Sequence, residues 1–431
     1  MYVGIVGLGY VGLTLAVALA KRGVRVIGLD IDLKKLEKIQ AGLAPFYEED
    51  LESSLKEALT NRVFEVTGDK NRFNEITHCV ITVGTPLRGD SFDTTQIESV
   101  INSLVGIVNA DTVFCLRSTV GLGTSRKLME ILQSMGHSGQ IAMCPERTIE
   151  GSALKELSTL PQIIGAESKV SAKKAQELFN VFDVKIILTE NFEVAELAKL
   201  ACNAWRDLYF AFSNEIALIG EELTIDARQA LSIAQDDYPR FKVAKPGPVG
   251  GPCLVKDGVS LASSSLERLN RGSLFDLSRR VNEGVVDWAV RKILELSHSI
   301  DQKPLRIGIV GLAFKSNPPT NDLRNSPSVD FLRAISKTNS TWTCLGWDPQ
   351  KIESEQFEQS GVGALKLTQS LDAIFANSDV VTIWHLLCPM DRAKVEEQIR
   401  SFSGKIILDL WSNFTKDEVE GSRYFGFGSG A

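Results

Sequence analysis

The chain has 431 residues, 47 Lys and Arg against 54 Asp and Glu, a net charge of −7 and 44% hydrophobic residues, enough for two or three domains with substantial cores. The acidic balance excludes a nucleic-acid or anionic-membrane surface, because no basic stripe exists to neutralise a phosphate backbone. Apolar runs are strand-sized, and the N-terminus opens on a strand instead of a charged, cleavable leader, so a cytoplasmic protein without membrane spans is expected.

The first run, Val3 to Val6, leads into Gly7-Leu8-Gly9-Tyr10-Val11-Gly12, which opens an amphipathic segment. Glycines at this spacing give a tight turn and let the first helical amides face a pyrophosphate. A second run, Val24 to Leu29, ends in Asp30, about 20 residues further on, where an acid meets ribose hydroxyls and favours NAD over NADP. Cys79 to Val83, Thr112 to Leu116, Ile141 to Cys144 and Val184 to Leu188 read as later strands of a doubly wound sheet. After Glu190 the pattern changes to helices at about 192–224, 256–269 and 273–299, with no strand between them. Asp301-Gln302-Lys303-Pro304 reads as a linker. Leu305 to Gly311 then opens a second strand-turn unit, with runs at Thr343 to Trp347, Val380 to Trp384 and Ile406 to Leu408. Its turn lacks the G-x-G-x-x-G glycines, so any nucleotide there is bound differently. The expected α/β architecture is an N-terminal Rossmann domain (1–191), a central helical domain with a long helix (192–300) and a C-terminal Rossmann-like domain (301–431).

Seven cysteines, at 79, 115, 144, 202, 253, 344 and 388, are scattered without C-x-x-C or histidine spacing, which argues for reduced thiols and no metal site. Cys79, Cys115, Cys144 and Cys344 lie in strand-like runs and read as core. Cys253 differs, because Gly250-Gly251-Pro252-Cys253-Leu254-Val255-Lys256-Asp257 sets it between paired glycines and a Lys-Asp pair. Such glycines allow close backbone approach to a ligand, and a nearby ammonium favours the nucleophilic thiolate. Lys199 and Asn203 stand at i and i+4 in the long helical pattern, so they share one face and can converge on one oxygen. Asp257 also suits a cap for the helix that follows.

These motifs, with Gly84-Thr85-Pro86, Ser118-Thr119-Val120, Pro145-Glu146, Glu150-Gly151 and Gly311-Leu312-Ala313-Phe314-Lys315 in order, resemble the UDP-glucose/GDP-mannose dehydrogenase family over nearly the whole chain. The resemblance implies NAD-dependent oxidation of the C6 alcohol of a nucleotide sugar to a carboxylate. That is a four-electron change, while NAD accepts two at a time, so the aldehyde must be kept; a thiolate at Cys253 would trap it and pass through a thioester. The family pattern further implies that Lys199 and Asn203 stabilise an oxyanion, Asp257 orders water or relays its proton, Glu150 acts on the hydrolytic water and Thr119 sits beside the nicotinamide. It assigns the cofactor to Gly7, Gly9, Tyr10, Val11, Gly12, Asp30, Lys35, Thr85 and Thr119. The substrate falls to Glu146, Arg147, Lys199, Asn203, Arg240, Gly250, Lys315 and Arg324. Arg240 matches an arginine that reaches a neighbouring subunit, which implies a homodimer or larger homo-oligomer.

The substrate branch stays open at this level. Pro145-Glu146-Arg147 and Tyr238-Pro239-Arg240 resemble the UDP-N-acetylhexosamine branch, whereas Glu150-Gly151 and Leu254-Val255-Lys256-Asp257 resemble the UDP-glucose branch. Pro252 stands where the hexosamine branch has histidine. The 317–321 loop is two residues longer than its common form, and Trp411 follows Asp409 where arginine is frequent. The alternatives are a two-electron β-hydroxyacid-type dehydrogenase, which would lack the cysteine and the last domain, and a non-catalytic NAD sensor, which would show eroded site residues.

Overall fold

The computed structural model describes residues 1–269, 272–300, 304–339, 341–353, 357–358, 365–402, 406–419 and 422–430. The expected linker residues 301–303 lie outside them. Contacts divide the chain into two compact units, Met1–Cys202 with Ser263–Arg268, and Asn203–Ala262 with Leu269–Ala431.

In the first unit, β1 (Tyr2–Val6), α1 (Tyr10–Lys21), β2 (Arg25–Leu29), α2 (Leu33–Gln40), α3 (Leu51–Thr60), β3 (Phe64–Thr67) and β4 (His78–Ile81) are followed by the short hairpin β5 (Leu87–Arg88) and β6 (Ser91–Phe92). Then come α4 (Thr95–Leu104), β7 (Val113–Leu116), α5 (Thr124–Ser134), β8 (Ile141–Met143), α6 (Ala153–Glu156), β9 (Gln162–Gly165), α7 (Lys169–Asn180), β10 (Ile186–Thr189) and the start of the 32-residue α8 (Phe192–Leu223), whose residues from Asn203 on belong to the second unit. The eight-stranded sheet runs β10-β9-β8-β7-β4-β1-β2-β3, parallel except where β8 meets β9. Helix α1 is buried from Gly12 to Ala20, so it is apolar all round and not the amphipathic segment expected from the sequence.

In the second unit α8 is followed by α9 (Ala227–Gln235), α10 (Leu254–Leu269) and α11 (Leu274–Ser297). A sheet unit then follows: β11 (Arg306–Val310), α12 (Pro327–Thr338), β12 (Thr343–Trp347), β13 (Leu365–Leu367), α13 (Leu371–Ala376), β14 (Val380–Ile383), α14 (Pro389–Ser401), β15 (Ile406–Asp409) and β16 (Arg423–Gly426). Its six strands are all parallel in the order β13-β12-β11-β14-β15-β16, the same doubly wound order as the first six strands of the N-terminal sheet. In both sheets the order reverses beside the first strand, and ligands of such folds bind outside the strand ends at that switch point.

The turns repeat too. The Gly7 N–H donates to the Leu29 carbonyl (2.8 Å) and the Leu8 N–H to Asp30 (2.7 Å); the Gly311 N–H donates to Trp347 (2.9 Å) and the Leu312 and Ala313 N–H groups to Asp348 (2.7 and 2.9 Å). A helix starts directly after the first turn but not after the second, where the His385 ring lies against Gly311.

The sequence reading passes over β3, β9, β13, β16 and α9. Phe-Glu-Val-Thr, Gln-Ile-Ile-Gly, Leu-Lys-Leu and Arg-Tyr-Phe-Gly are too short, with polar or small residues interleaved, to show a period. Helix α10 begins at Leu254, not 256, so Asp257 lies in its first turn. The Cys253 carbonyl, which accepts from the Asp257 N–H at 3.0 Å, occupies the capping place instead.

Candidate active site

In the first unit, Gly7 turns with φ +91° and Gly12 packs so closely that an added Cβ would lie 1.9 Å from the Gly7 carbonyl oxygen. An added Cβ on Gly9, by contrast, meets nothing within 4 Å, and α1 carries no side-chain cap. The turn therefore presents open space to the first helical amides, which suits a dinucleotide pyrophosphate. Tyr10, stacked on Phe46 at 4.1 Å between ring centroids, and Val11 begin the helix. Asp30 is buried at the end of β2, accepting from Leu8, from the Asp32 N–H (3.0 Å) and from Lys35 Nζ (2.9 Å). Burial alone would raise its carboxyl; the bonds from Lys35, Asp32 and Leu8 outweigh that and hold it below the ordinary aspartate range. The residues thus fit NAD, with a charged Asp30 at the strand end beside the turn and Lys35 as its charge partner.

Thr85 and Thr119 come together, the buried Thr85 hydroxyl donating to the Thr119 carbonyl at 2.6 Å. Two residues before Thr119, Arg117 is fully buried. It donates to Glu146 through Nε (2.8 Å) and Nη2 (2.5 Å), to Gln162 (3.0 Å) and to the Cys144 carbonyl (3.2 Å), with its guanidinium 5.0 Å from the Phe179 ring centroid. The other Glu146 oxygen accepts the Arg147 and Thr148 N–H groups at 2.7 and 2.8 Å. Burial would raise the Glu146 carboxyl, but Arg117, Thr148 and Lys199 hold it below the usual glutamate range. The structure thus engages Glu146 in shaping the 145–151 loop, and the Arg147 guanidinium donates to the Pro161 carbonyl. Glu150 is half-buried on that loop, and the next amide, Gly151, donates to the buried Glu48 at 2.7 Å. Lys199 is buried on α8. One turn earlier, buried Glu196 accepts the Gly123 and Ser125 N–H groups at 2.7 and 2.8 Å, fixing α8 to the loop that follows Thr119.

In the second unit Cys253 is exposed at the head of α10, while Cys79, Cys115, Cys144 and Cys344 are buried. Burial pushes the Cys79 and Cys344 thiols up, the latter to about 12, so these are inert. One turn into α10, the buried Asp257 accepts from Asn203 Nδ2 at 2.6 Å. An added Cβ on Gly250 would lie 2.2 Å from the Asn325 carbonyl oxygen, and one on Gly251 (φ +95°) 2.6 Å from the Phe314 ring. Only glycines allow this approach, which brings the cysteine loop against the segments bearing Lys315 and Arg324. Arg324 pairs with Asp322 at 2.5 Å, and Lys315 Nζ lies 5.6 Å from the Phe314 ring centroid. Arg240 is exposed, over the Tyr238 ring at 4.8 Å.

Sequence reasoning missed Arg117, Glu48, Glu196 and a buried set comprising Asp207, Asn214, Arg279 and Asn282. The last four carried a partial signal: Asp207 and Asn214 continue at i+4 and i+11 the α8 row that bears Asn203, and Arg279 and Asn282 stand at i and i+3 on α11.

Among the described residues no helix is long and apolar enough to cross a membrane. Residues 1–183 match the NAD-binding domain model of the UDP-glucose/GDP-mannose dehydrogenase family and residues 193–284 its central domain model. The UDP-N-acetyl-D-mannosamine dehydrogenase of Pyrococcus horikoshii is 30% identical over 438 residues, covering 100% of both chains. That of Escherichia coli is 30% identical over 401 residues, 88% of this chain and 92% of that protein. A solved structure of a UDP-D-ManNAc dehydrogenase from Pyrococcus horikoshii superposes with a TM-score of 0.85 at 28% identity, covering 100% of both chains. With an NAD-fitting turn in the first unit and family models over both matched regions, this chain belongs to the UDP-glucose/GDP-mannose dehydrogenase family, NAD-dependent oxidoreductases that act on nucleotide sugars.

Proposed function

We propose that this chain oxidises the C6 alcohol of a UDP-N-acetylhexosamine, UDP-N-acetyl-D-mannosamine first among them, to the uronic acid, with Cys253 as covalent nucleophile. The observation that carries the reading is the exposed Cys253 at the head of α10, one turn before a buried Asp257 held by Asn203. The end-to-end similarity to UDP-N-acetyl-D-mannosamine dehydrogenases supports the sugar.

The Gly7–Gly12 turn and Asp30 would hold NAD, which would supply the hydride acceptor for both oxidations. In the first, the alcohol loses a hydride and a proton, and Lys199 and Asn203 stabilise the developing charge on oxygen. The Cys253 thiolate then adds to the aldehyde carbon; the amide end of α10 favours an anion there. Loss of a second hydride and proton from the thiohemiacetal leaves a thioester. Water, ordered by Asp257 and Glu150, adds to the thioester carbon and expels the thiolate, so one alcohol, one water and two NAD+ would yield one carboxylate, two NADH and three protons. Thr119 and Thr85 shape the nicotinamide side. Lys315, Arg324, Glu146, Arg147 and Gly250 shape the sugar-nucleotide side, Glu146 and Arg147 by fixing their loop. Exposed Trp205, Phe212 and Ile219, seven residues apart on α8, suit a homo-oligomer with Arg240 serving a neighbouring site.

The test is NADH released per sugar over a panel of UDP-ManNAc, UDP-GlcNAc, UDP-GalNAc, UDP-glucose and GDP-mannose. Two NADH are expected with UDP-ManNAc, and Cys253→Ser should bind both ligands yet form no acid. One NADH per sugar, or full acid output from Cys253→Ser, refutes the reading.

A further inference from the structure

The segment that delivers Cys253 has no regular structure from 241 to 252, yet its backbone is gripped by buried side chains. The Asn214 amide clasps Gly247 on both sides, accepting its N–H at 2.8 Å and donating to its carbonyl at 3.0 Å. Asn214 Nδ2 also donates to Asn282 Oδ1 at 2.8 Å. Asn282 Nδ2 in turn donates to the carbonyl and carboxylate of Asp207, at 2.9 and 2.8 Å. Asp207 receives Arg279 Nη1 at 2.9 Å, and Arg279 Nη2 returns to the same segment at the Val249 carbonyl, 3.0 Å away. All four side chains are buried. The chain has one sense: Asp207 offers only acceptors here, so the Asn282 amide must face it with its NH2, which leaves its oxygen for Asn214 and forces Asn214 to present both groups to Gly247. On the opposite side of Gly247 lies Trp411, whose ring an added Cβ would meet at 2.4 Å and whose Nε1 donates to the Trp384 carbonyl at 3.0 Å.

We propose that Asp207, Arg279, Asn282 and Asn214 are positioning residues for the nucleophile: by fixing Gly247 and Val249 between α8, α11 and Trp411, they hold the Cys253 sulfur where it captures the aldehyde before it escapes. This rests on the covalent reading above. Four buried polar groups are a costly way to anchor a loop whose only need is to be folded, since each is expensive unless fully satisfied. Here the network meets the segment at Gly247 and Val249, backbone within six residues of Cys253. A displacement of about 1 Å at a reacting group costs on the order of 100-fold in rate, so a loosened segment should fail at capture while the first oxidation continues.

The experiment measures the partition of product in full-length Asn214→Ser and Arg279→Lys. The first cannot clasp both sides of Gly247; the second keeps a cation beside Asp207 but loses the fork that also reaches Val249. With NAD, UDP-ManNAc and hydroxylamine, the aldehyde caught as oxime is counted against uronic acid, alongside the NAD Kd, the melting temperature and the alkylation of Cys253 by iodoacetamide. The expected result is an oxime-to-acid ratio raised about tenfold or more, a changed alkylation profile at Cys253 and an NAD Kd within twofold of wild type. A ratio equal to wild type, with activity falling only in proportion to folded protein, overturns the proposal. Trp411→Phe, which loosens the other side of Gly247 without touching the buried ions, reads the same ratio if either variant fails to fold. Two NADH per sugar in wild type with unchanged ratios in the variants sinks the relay alone; one NADH per sugar in wild type sinks the covalent reading beneath it.

Discussion

Replacing Arg117 by methionine removes the cation from a pair whose members are 1% and 12% exposed. Glu146 would keep its two backbone donors but lose the charge that offsets its burial, and Gln162 and the Cys144 carbonyl would each lose a donor. Breaking a buried pair in this one-sided way costs about 3–5 kcal/mol. For a unit built mainly from Met1–Cys202 that corresponds to a fall of roughly 10 °C in Tm. The pH dependence adds a signature. In the wild type the Glu146 carboxyl is depressed, so its contribution is in place above the ordinary glutamate pKa and is lost as pH falls through the lower folded value. In the variant burial dominates and the carboxyl is raised, so stability is instead lost as pH rises through that value. Thermal melts between pH 4 and 8 should therefore show the gap between the two proteins widening with pH. The double variant Arg117→Met with Glu146→Gln should recover much of the loss, because no uncompensated charge remains. A gap under about 1 kcal/mol, or one flat across that range, would refute the assignment of the pair as the loop's anchor.

Two further outcomes follow from the same geometry. Asp30→Ala removes the acceptor of the Leu8 and Asp32 amides and the partner of Lys35, and should weaken NAD about tenfold, or ~1.4 kcal/mol, with UDP-sugar affinity unchanged; titration calorimetry of each ligand separately would contradict this if both fall together. Native alkylation followed by peptide mass spectrometry should label Cys253 and Cys202 first and Cys388 more slowly. Cys79, Cys115, Cys144 and Cys344 should react only after unfolding, and NAD with UDP-ManNAc should protect Cys253 selectively; early labelling of any core thiol would count against the packing described.

The first turn, Asp30 and the long helix were legible because their physics is local: a glycine spacing, an acid at a strand end, a period of 3.6. The cysteine loop drew notice because paired glycines mark close approach, expected there towards a ligand; in the structure Gly250 lies against Asn325 and Gly251 against Phe314. What escaped were pairings across sequence. Arg117 looks like any surface arginine until Glu146 is placed beside it, and Glu196 reads as helix decoration until its carboxylate meets two amides seventy residues upstream. The short strands β13 and β16 escaped because three or four residues display no period, and their place is dictated by neighbouring strands. The Asp257 cap expectation failed by one helical turn, because the chain enters α10 at Leu254 and leaves Asp257 facing Asn203.

The scaffold occurs twice in this chain, but its electrostatic mouth opens only once. At Gly7 a helix follows at once, so partial positive charge converges on the cleft. At Gly311 two amides are already neutralised by Asp348, an imidazole lies over the bend, and no helix starts until Pro327. The second copy is electrically muted, so dinucleotide titrations should saturate at a single equivalent per polypeptide, and any anionic group docking on the second sheet must take its counter-charge from lysine and arginine side chains.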